Sequence, residues 1–138
     1  MGTYDRTSED TGNVLSLDHL NLTIADQQQA TLFYIVGMGF SRDPYMMVGL
    51  ENMWVNAGRQ QFHVPTRPAS PQVMRGRIGI VVPDVAELLA RLGGVADQLK
   101  DTQFAYKEHG DHVGVTCPWG NEFIVTGPVE GFRASFGV

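Results

Sequence analysis

Residues 17–40, LDHLNLTIADQQQATLFYIVGMGF, carry the reading that decides the fold. Traced back to Val14, the alternation of Leu15, Leu17 or Asp18, Leu20 and Leu22 predicts a half-buried strand. Asp26 is the N-cap residue type that ends such a strand and starts a helix, because its carboxylate can accept from the first free backbone N–H groups. Ala30, Phe33, Tyr34 and Met38 then recur at helical spacing, and Gly37 and Gly39 close the helix. Phe40 to Arg42 reads as a short strand. An apolar stretch over 46–56, a turn at Ala57-Gly58 and the segment RQQFHVP predict a hairpin whose second arm ends at Pro65.

The same grammar then starts again. Residues 76–85, GRIGIVVPDV, give a β-branched strand followed by Asp84 as N-cap, with Glu87 three residues on as in a capping box. Val85, Leu88, Leu89 and Leu92 form one helical stripe, and Gly93-Gly94 is the predicted stop. Strands are predicted over 102–107, 112–117 and 122–126, the last two joined by the turn Pro118-Trp119-Gly120-Asn121. His19 lies seven residues before Asp26, and Arg77 lies seven before Asp84, at a common offset of 58. The chain is therefore predicted to be α+β, two paired βαβββ modules forming a curled mixed sheet around a shared cavity. Module boundaries are set at 14–66 and 75–128, with the Pro- and Ser-rich stretch 67–74 as linker and tails at 1–13 and 129–138.

The 138 residues suffice for one ordinary domain with a sizeable core, 43% of them hydrophobic and only 18% charged. No run of about 18 apolar residues offers a membrane span. The opening MGTYDRTSEDTGN lacks the basic-then-apolar layout of a signal peptide. A net charge of −5 argues against a nucleic-acid grip or an anionic membrane as partner. The one cysteine, Cys117, can form no internal disulfide, which points to the cytoplasm.

Three segments together, 17–40, 76–85 and PWGNEFIV at 118–125, resemble the vicinal oxygen chelate superfamily, the glyoxalase, bleomycin-resistance and extradiol-dioxygenase relatives. The resemblance spans about residues 15–128. It implies the paired βαβββ fold, a small-molecule substrate or ligand, and a homodimer. In metal-dependent members the ligands come from the first and last strand of each module. Here that implies His19 and His63, with Gln61 as the register alternative, while Arg77 and Ile124 stand where a histidine and a glutamate are expected. Arg77 has no lone pair to give a metal and Ile124 has no donor, so orthodox lactoylglutathione lyase activity is disfavoured.

Strand alternation puts Glu122 on the same face as Ile124, and with the inward faces that the resemblance implies the set becomes His19, Gln61, His63, Arg77 and Glu122. Three uses stay open. His19, His63 and Glu122 could hold one divalent ion (Fe, Mn, Zn or Ni) as a two-histidine, one-carboxylate set. His19 or His63 could act as general base with Arg77 as anion holder. Or the cavity could only bind, with Trp54, Trp119, Tyr34, Gln61 and the phenylalanines as its walls, in the manner of the bleomycin-resistance relatives. The resulting expectation is a glyoxalase- or dioxygenase-like enzyme with catalytic His19, His63, Arg77 and Glu122, and a sequestering protein as the alternative. His109 and His112, either side of Gly110-Asp111, read as surface residues of a hairpin turn.

Overall fold

The computed structural model describes residues 12–44, 51–67 and 70–128. The N-terminal tail up to residue 11, the first part of the 46–56 stretch, two linker positions and the C-terminal tail lie outside the described residues. The chain runs β1 (His19–Asn21), α1 (Gln27–Ala30), a wider π-helical continuation (Thr31–Gly37), β2 (Ser41–Arg42), β3 (Asn52–Ala57) and β4 (Gln60–Pro65). The second half repeats this order as β5 (Arg77–Val81), α2 (Val85–Val95), β6 (Ala105–Glu108), β7 (Val113–Thr116) and β8 (Glu122–Thr126). Two four-stranded mixed sheets result, ordered β1-β4-β3-β2 and β5-β8-β7-β6. These are the paired βαβββ units predicted from the repeat.

The internal symmetry extends to register. β1 lies parallel to β4 with His19 opposite Gln61, and β5 lies parallel to β8 with Arg77 opposite Glu122. Both caps form as predicted: Asp26 Oδ1 accepts from Gln29 N–H at 2.8 Å, and Asp84 Oδ1 accepts from Ala86 N–H at 3.0 Å. The capping box is not completed, because the Glu87 carboxylate turns to Arg91 one turn on.

One face of each sheet packs on the helices. Leu22, Met53, Val55 and Val64 from the first sheet and Val113, Val115, Phe123 and Val125 from the second share one core with Phe33, Leu88, Leu92 and Val95. Phe33 touches Phe123 and Phe104, which ties the first helix to the second sheet. The helices cross at Gly37, where a Cβ would stand 3.2 Å from Val95 Cγ2 and 3.2 Å from the Leu32 carbonyl oxygen. A methyl at position 37 would fit only if Val95 or the Leu32 carbonyl gave way by a few tenths of an ångström. The π-type turn there, with Met38 N–H bonded to the Phe33 carbonyl, lets Phe33 and Tyr34 both turn inward.

Three local expectations are corrected. The first strand is only three residues long, and Leu15 and Leu17 are exposed, because β4 supplies a parallel neighbour only from Gln61 onward. Gly93-Gly94 does not stop α2, since Val95 and Leu99 beyond it are buried and hold the chain down. The second strand of the second half starts at Ala105 rather than 102, because Thr102 instead closes a turn onto the Leu99 carbonyl.

The linker is fastened to the closing hairpin by Asn121, the one polar residue fully buried among those described. Its side-chain carbonyl accepts from Met74 N–H and its amide donates to the Gln72 carbonyl, both at 2.8 Å.

Candidate functional site

The other face of the first sheet is polar. β1 and β4 contribute His19, Asn21, Gln61 and His63, and β3 contributes Asn52, Trp54 and Asn56, since residues paired across strands share a face. Trp54 sits between the two histidines. Its ring lies flat on His63 with centroids 4.2 Å apart and planes inclined by 13°, while His19 meets it edge-on at 5.1 Å. His19 Nδ1 is 2.8 Å from Asp18 Oδ2, which leaves the Nε2 side of that ring for a ligand.

Each nitrogen of His63 faces an amide oxygen: Nδ1 lies 3.3 Å from Asn21 Oδ1, and Nε2 lies 3.2 Å from Asn52 Oδ1. Burial, then the nearby Arg67 guanidinium, then His19 hold its titration below the usual histidine range. A neutral imidazole carries one N–H. Asn52 Oδ1 also accepts from Arg67, which fixes that oxygen toward the ring. The ring's one proton can therefore go to only one of the two oxygens, and the Asn52 oxygen that Arg67 fixes favours Nε2. Gln61 is committed elsewhere, donating to Asp43 and Asn56.

The matching face of the second sheet carries Arg77 and Glu122 as cross-strand partners, Arg77 Nε to Glu122 Oε2 at 3.5 Å. Both side chains are more than half exposed, so the pair is worth about 1 kcal/mol or less. A cavity of about 450 Å³ opens over this face. A second, of about 470 Å³, lies where Leu20, Phe40 and Phe62 approach Ile78 and Ile80.

No family model matches the sequence, and no curated protein is similar to it. Solved structures are. The chain superposes on the fosfomycin resistance protein FosX from Listeria monocytogenes with a TM-score of 0.66 and 11% identity, covering 89% of this chain and 98% of that one. It superposes on a member of the glyoxalase/bleomycin resistance protein/dioxygenase superfamily from Sphaerobacter thermophilus with a TM-score of 0.54 and 16% identity, over 83% and 98% of the two chains. A lactoylglutathione lyase from Agrobacterium tumefaciens gives 0.55 and 16%, over 83% and 95%. The fold is that of the vicinal oxygen chelate superfamily.

On this vicinal oxygen chelate fold the predicted residues divide into two sets. The first sheet brings together His19, Trp54, Gln61 and His63. The second brings together Arg77 and Glu122. Neither large cavity holds both sets. The metal set His19, His63 and Glu122 is thus not assembled within one chain, and among the described residues no three His, Cys, Asp or Glu side chains gather to hold an ion. Both nitrogens of His63 face asparagine oxygens and Glu122 is turned to Arg77, so the donors of a single chain do not fit a divalent metal.

Tyr34 is corrected outright as a ligand wall. It is fully buried in the core, its phenol pushed far up in pKa by burial and without a hydrogen-bond partner. Phe33 is a core residue likewise, while Phe40, Phe62 and Phe123 belong to the core and also line the two large cavities, as expected of walls. Trp119 packs against that core from the closing turn. Sequence reasoning missed Asp18, Asn21 and Asn52, whose roles depend on the register of β1, β3 and β4. It also missed that His109 and His112 stack, with centroids 4.5 Å apart, at the rim of the 450 Å³ cavity.

Proposed function

We propose that the chain is a small-molecule enzyme of the lyase or isomerase type that moves a proton at His19. The observation that carries this reading is the Asp18–His19 pair beside Trp54. A carboxylate accepting from Nδ1–H fixes the tautomer that leaves a lone pair on Nε2, and it stabilises the imidazolium formed once His19 has taken a proton. Neutral His63 adds no like charge beside that imidazolium. Trp54, held flat by His63, is a platform for a planar substrate such as an enolisable carbonyl compound. Within one chain this face is open on one side, and the proposed cover is a second copy in a homodimer, read out as twice the 15.2 kDa chain mass in light scattering. Among the described residues the donors of one chain do not make a metal site.

The test is turnover, followed by NMR, of fosfomycin and of the hemithioacetal of methylglyoxal and glutathione, with simple enolisable α-hydroxyketones beside them. A consumed compound whose kcat falls by about 100-fold or more in His19→Ala, and by less in Asp18→Asn, supports proton transfer at His19. The second reading, capture without chemistry, is favoured by the same aromatic platform. Stoichiometric binding with no product, and a His19→Ala variant changed only in affinity, would establish it and overturn the first.

A further inference from the structure

We propose that the substrate of the His19 site is a neutral polyhydroxylated carbonyl compound, a monosaccharide, that lies on Trp54 and is read by the amides around it. The proposal rests on the proton-transfer reading of His19 and names the substrate class for it.

Two cross-strand rows make this face. One runs His19, Gln61, Asn56 and Ser41, the other Asn21, His63 and Trp54. None of these seven side chains is a lysine, an arginine or a carboxylate. The fixed charges bonded to the face are Asp18, Asp43 and Arg67, and each is engaged. Asp18 holds His19, Asp43 accepts from Gln61, and Arg67 donates to Asn52 and to the Thr66 carbonyl. With two carboxylates against one guanidinium, an anion meets no net attraction here. The substrate is accordingly uncharged.

The hydrogen-bonding groups left over are of both kinds. Gln61 donates its amide hydrogens to Asp43 Oδ2 at 2.6 Å and to Asn56 Oδ1 at 2.8 Å, so its carbonyl oxygen remains to accept. His19 Nε2 is a second acceptor in the tautomer that Asp18 fixes. Asn21 meets His63 through its oxygen, which leaves its Nδ2 hydrogens to donate. A hydroxyl both donates and accepts, so a string of hydroxyls satisfies this set. A hydrocarbon would leave it unpaired, and a carboxylate would face two acceptors.

The indole supplies the apolar half of the match. A sugar ring carries C–H bonds on one flat side, and these point favourably at the electron-rich face of an aromatic ring. The two rows stand about 6.6 Å apart, two residues along a strand, close to the span of such a ring. His19 meets the same indole edge-on at 5.1 Å, so a sugar seated on Trp54 reaches it. From the open-chain form, His19 would take the proton on the carbon beside the carbonyl, leaving an enediolate. It would return that proton to the former carbonyl carbon, while the neighbouring hydroxyl proton passes to the carbonyl oxygen. Aldose and ketose interconvert, and no atom or electron is gained or lost.

Titration of isotope-labelled full-length protein with xylose, glucose and the locked methyl glucopyranoside, beside benzoate and cyclohexanol, tests this by NMR. The expected result is saturable shifts of the Trp54 indole N–H and the Gln61 side-chain amide with all three sugars. Trp54→Ala and Gln61→Ala should each raise Kd at least about tenfold, and Trp54→Phe, which keeps a flat ring, should raise it less. Lys100→Ala, at an ion pair just past α2, should leave it unchanged. Unchanged α2 amide signals would show that the variants fold. In heavy water, xylose and glucose should exchange the hydrogen beside the carbonyl, and His19→Ala should stop that exchange. Saturable sugar binding without exchange would uphold the ligand class and overturn proton transfer at His19. Turnover of a charged compound with no sugar bound would uphold His19 and overturn the sugar. Benzoate or cyclohexanol binding as tightly as the sugars, or an unaltered Kd in both Trp54→Ala and Gln61→Ala, would likewise overturn the proposal.

Discussion

Trp54 lies flat against His63, with ring centroids 4.2 Å apart. That stacking buries the imidazole, and burial is the largest cause of its lowered pKa, ahead of the charge of Arg67. A histidine NMR titration should therefore give His63 a midpoint below the ordinary value of about 6.5. Arg67→Ala should move the midpoint upward, since a positive neighbour has been removed. The unfolded chain binds the proton more readily than the folded one, so this group adds stability above pH of about 6.5 and loses it as pH falls toward the lowered value. An unshifted His63 midpoint would contradict the packing described.

The tautomer can be read separately. Nitrogen-detected NMR of the neutral ring should show the proton on Nε2, because Arg67 pins the Asn52 oxygen toward that atom. Asn52→Ala releases the constraint and should redistribute the proton between the two nitrogens.

Asn121→Ala should destabilise the fold by about 2–4 kcal/mol in urea unfolding. It strips partners from the Met74 N–H and the Gln72 carbonyl, and each buried group left unsatisfied costs about 1–3 kcal/mol. Asn121→Asp would keep the acceptor for Met74 but lose the donor for Gln72, so its loss should be smaller at low pH, where the new carboxyl is protonated, than at neutral pH.

At the helix crossing, Gly37→Ala drives a methyl into Val95 and the Leu32 carbonyl. The expected loss is about 1–3 kcal/mol, as for other overpacked cores. Val95→Ala opens the same spot, so the double variant should lose less than the two single losses combined. Strict additivity would mean that the helices do not meet there.

Cys117 is fully buried, and burial raises its thiol pKa against the opposing pull of the Trp119, Asn121 and Gly120 N–H groups. Ellman's reagent should leave it untouched in the native protein and label it only on unfolding. Rapid native labelling would show that the closing hairpin opens.

Much of the fold is legible in the chain because the same spacing occurs twice. The offset shared by His19 with Arg77 and Asp26 with Asp84 foretells two equivalent units, and β8 runs Glu122–Thr126 as its alternation predicts. Strand ends were less legible, because a strand lasts only as long as its neighbour. Leu15 and Leu17 are out of phase with the inward Leu20 and Leu22 and stand exposed before the strand begins at His19. The glycines of α2 mislead for the opposite reason, since burial of Val95 outweighs their roughly 1 kcal/mol helix penalty. The site was half legible. His19 and His63 do share a face, but whether Glu122, on the other sheet, comes to meet them depends on how two units pair, and no residue pattern within one unit records that. Tyr34 has the look of a ligand wall until the π-type turn beside Phe33 carries it into the core.

The division of each sheet into a face packed on helices and a face open to ligand bears on how such a protein could be altered. Leu22, Phe62, Val64, Phe123 and Val125 hold the scaffold, while their immediate neighbours Asn21, Gln61, His63, Glu122 and Ile124 touch none of that packing face. A library randomised at these neighbours alone would vary chemistry while the melting temperature stayed nearly constant. The duplicated halves would thus serve as two independent benches for selection, each able to drift toward a new ligand without unfolding the other.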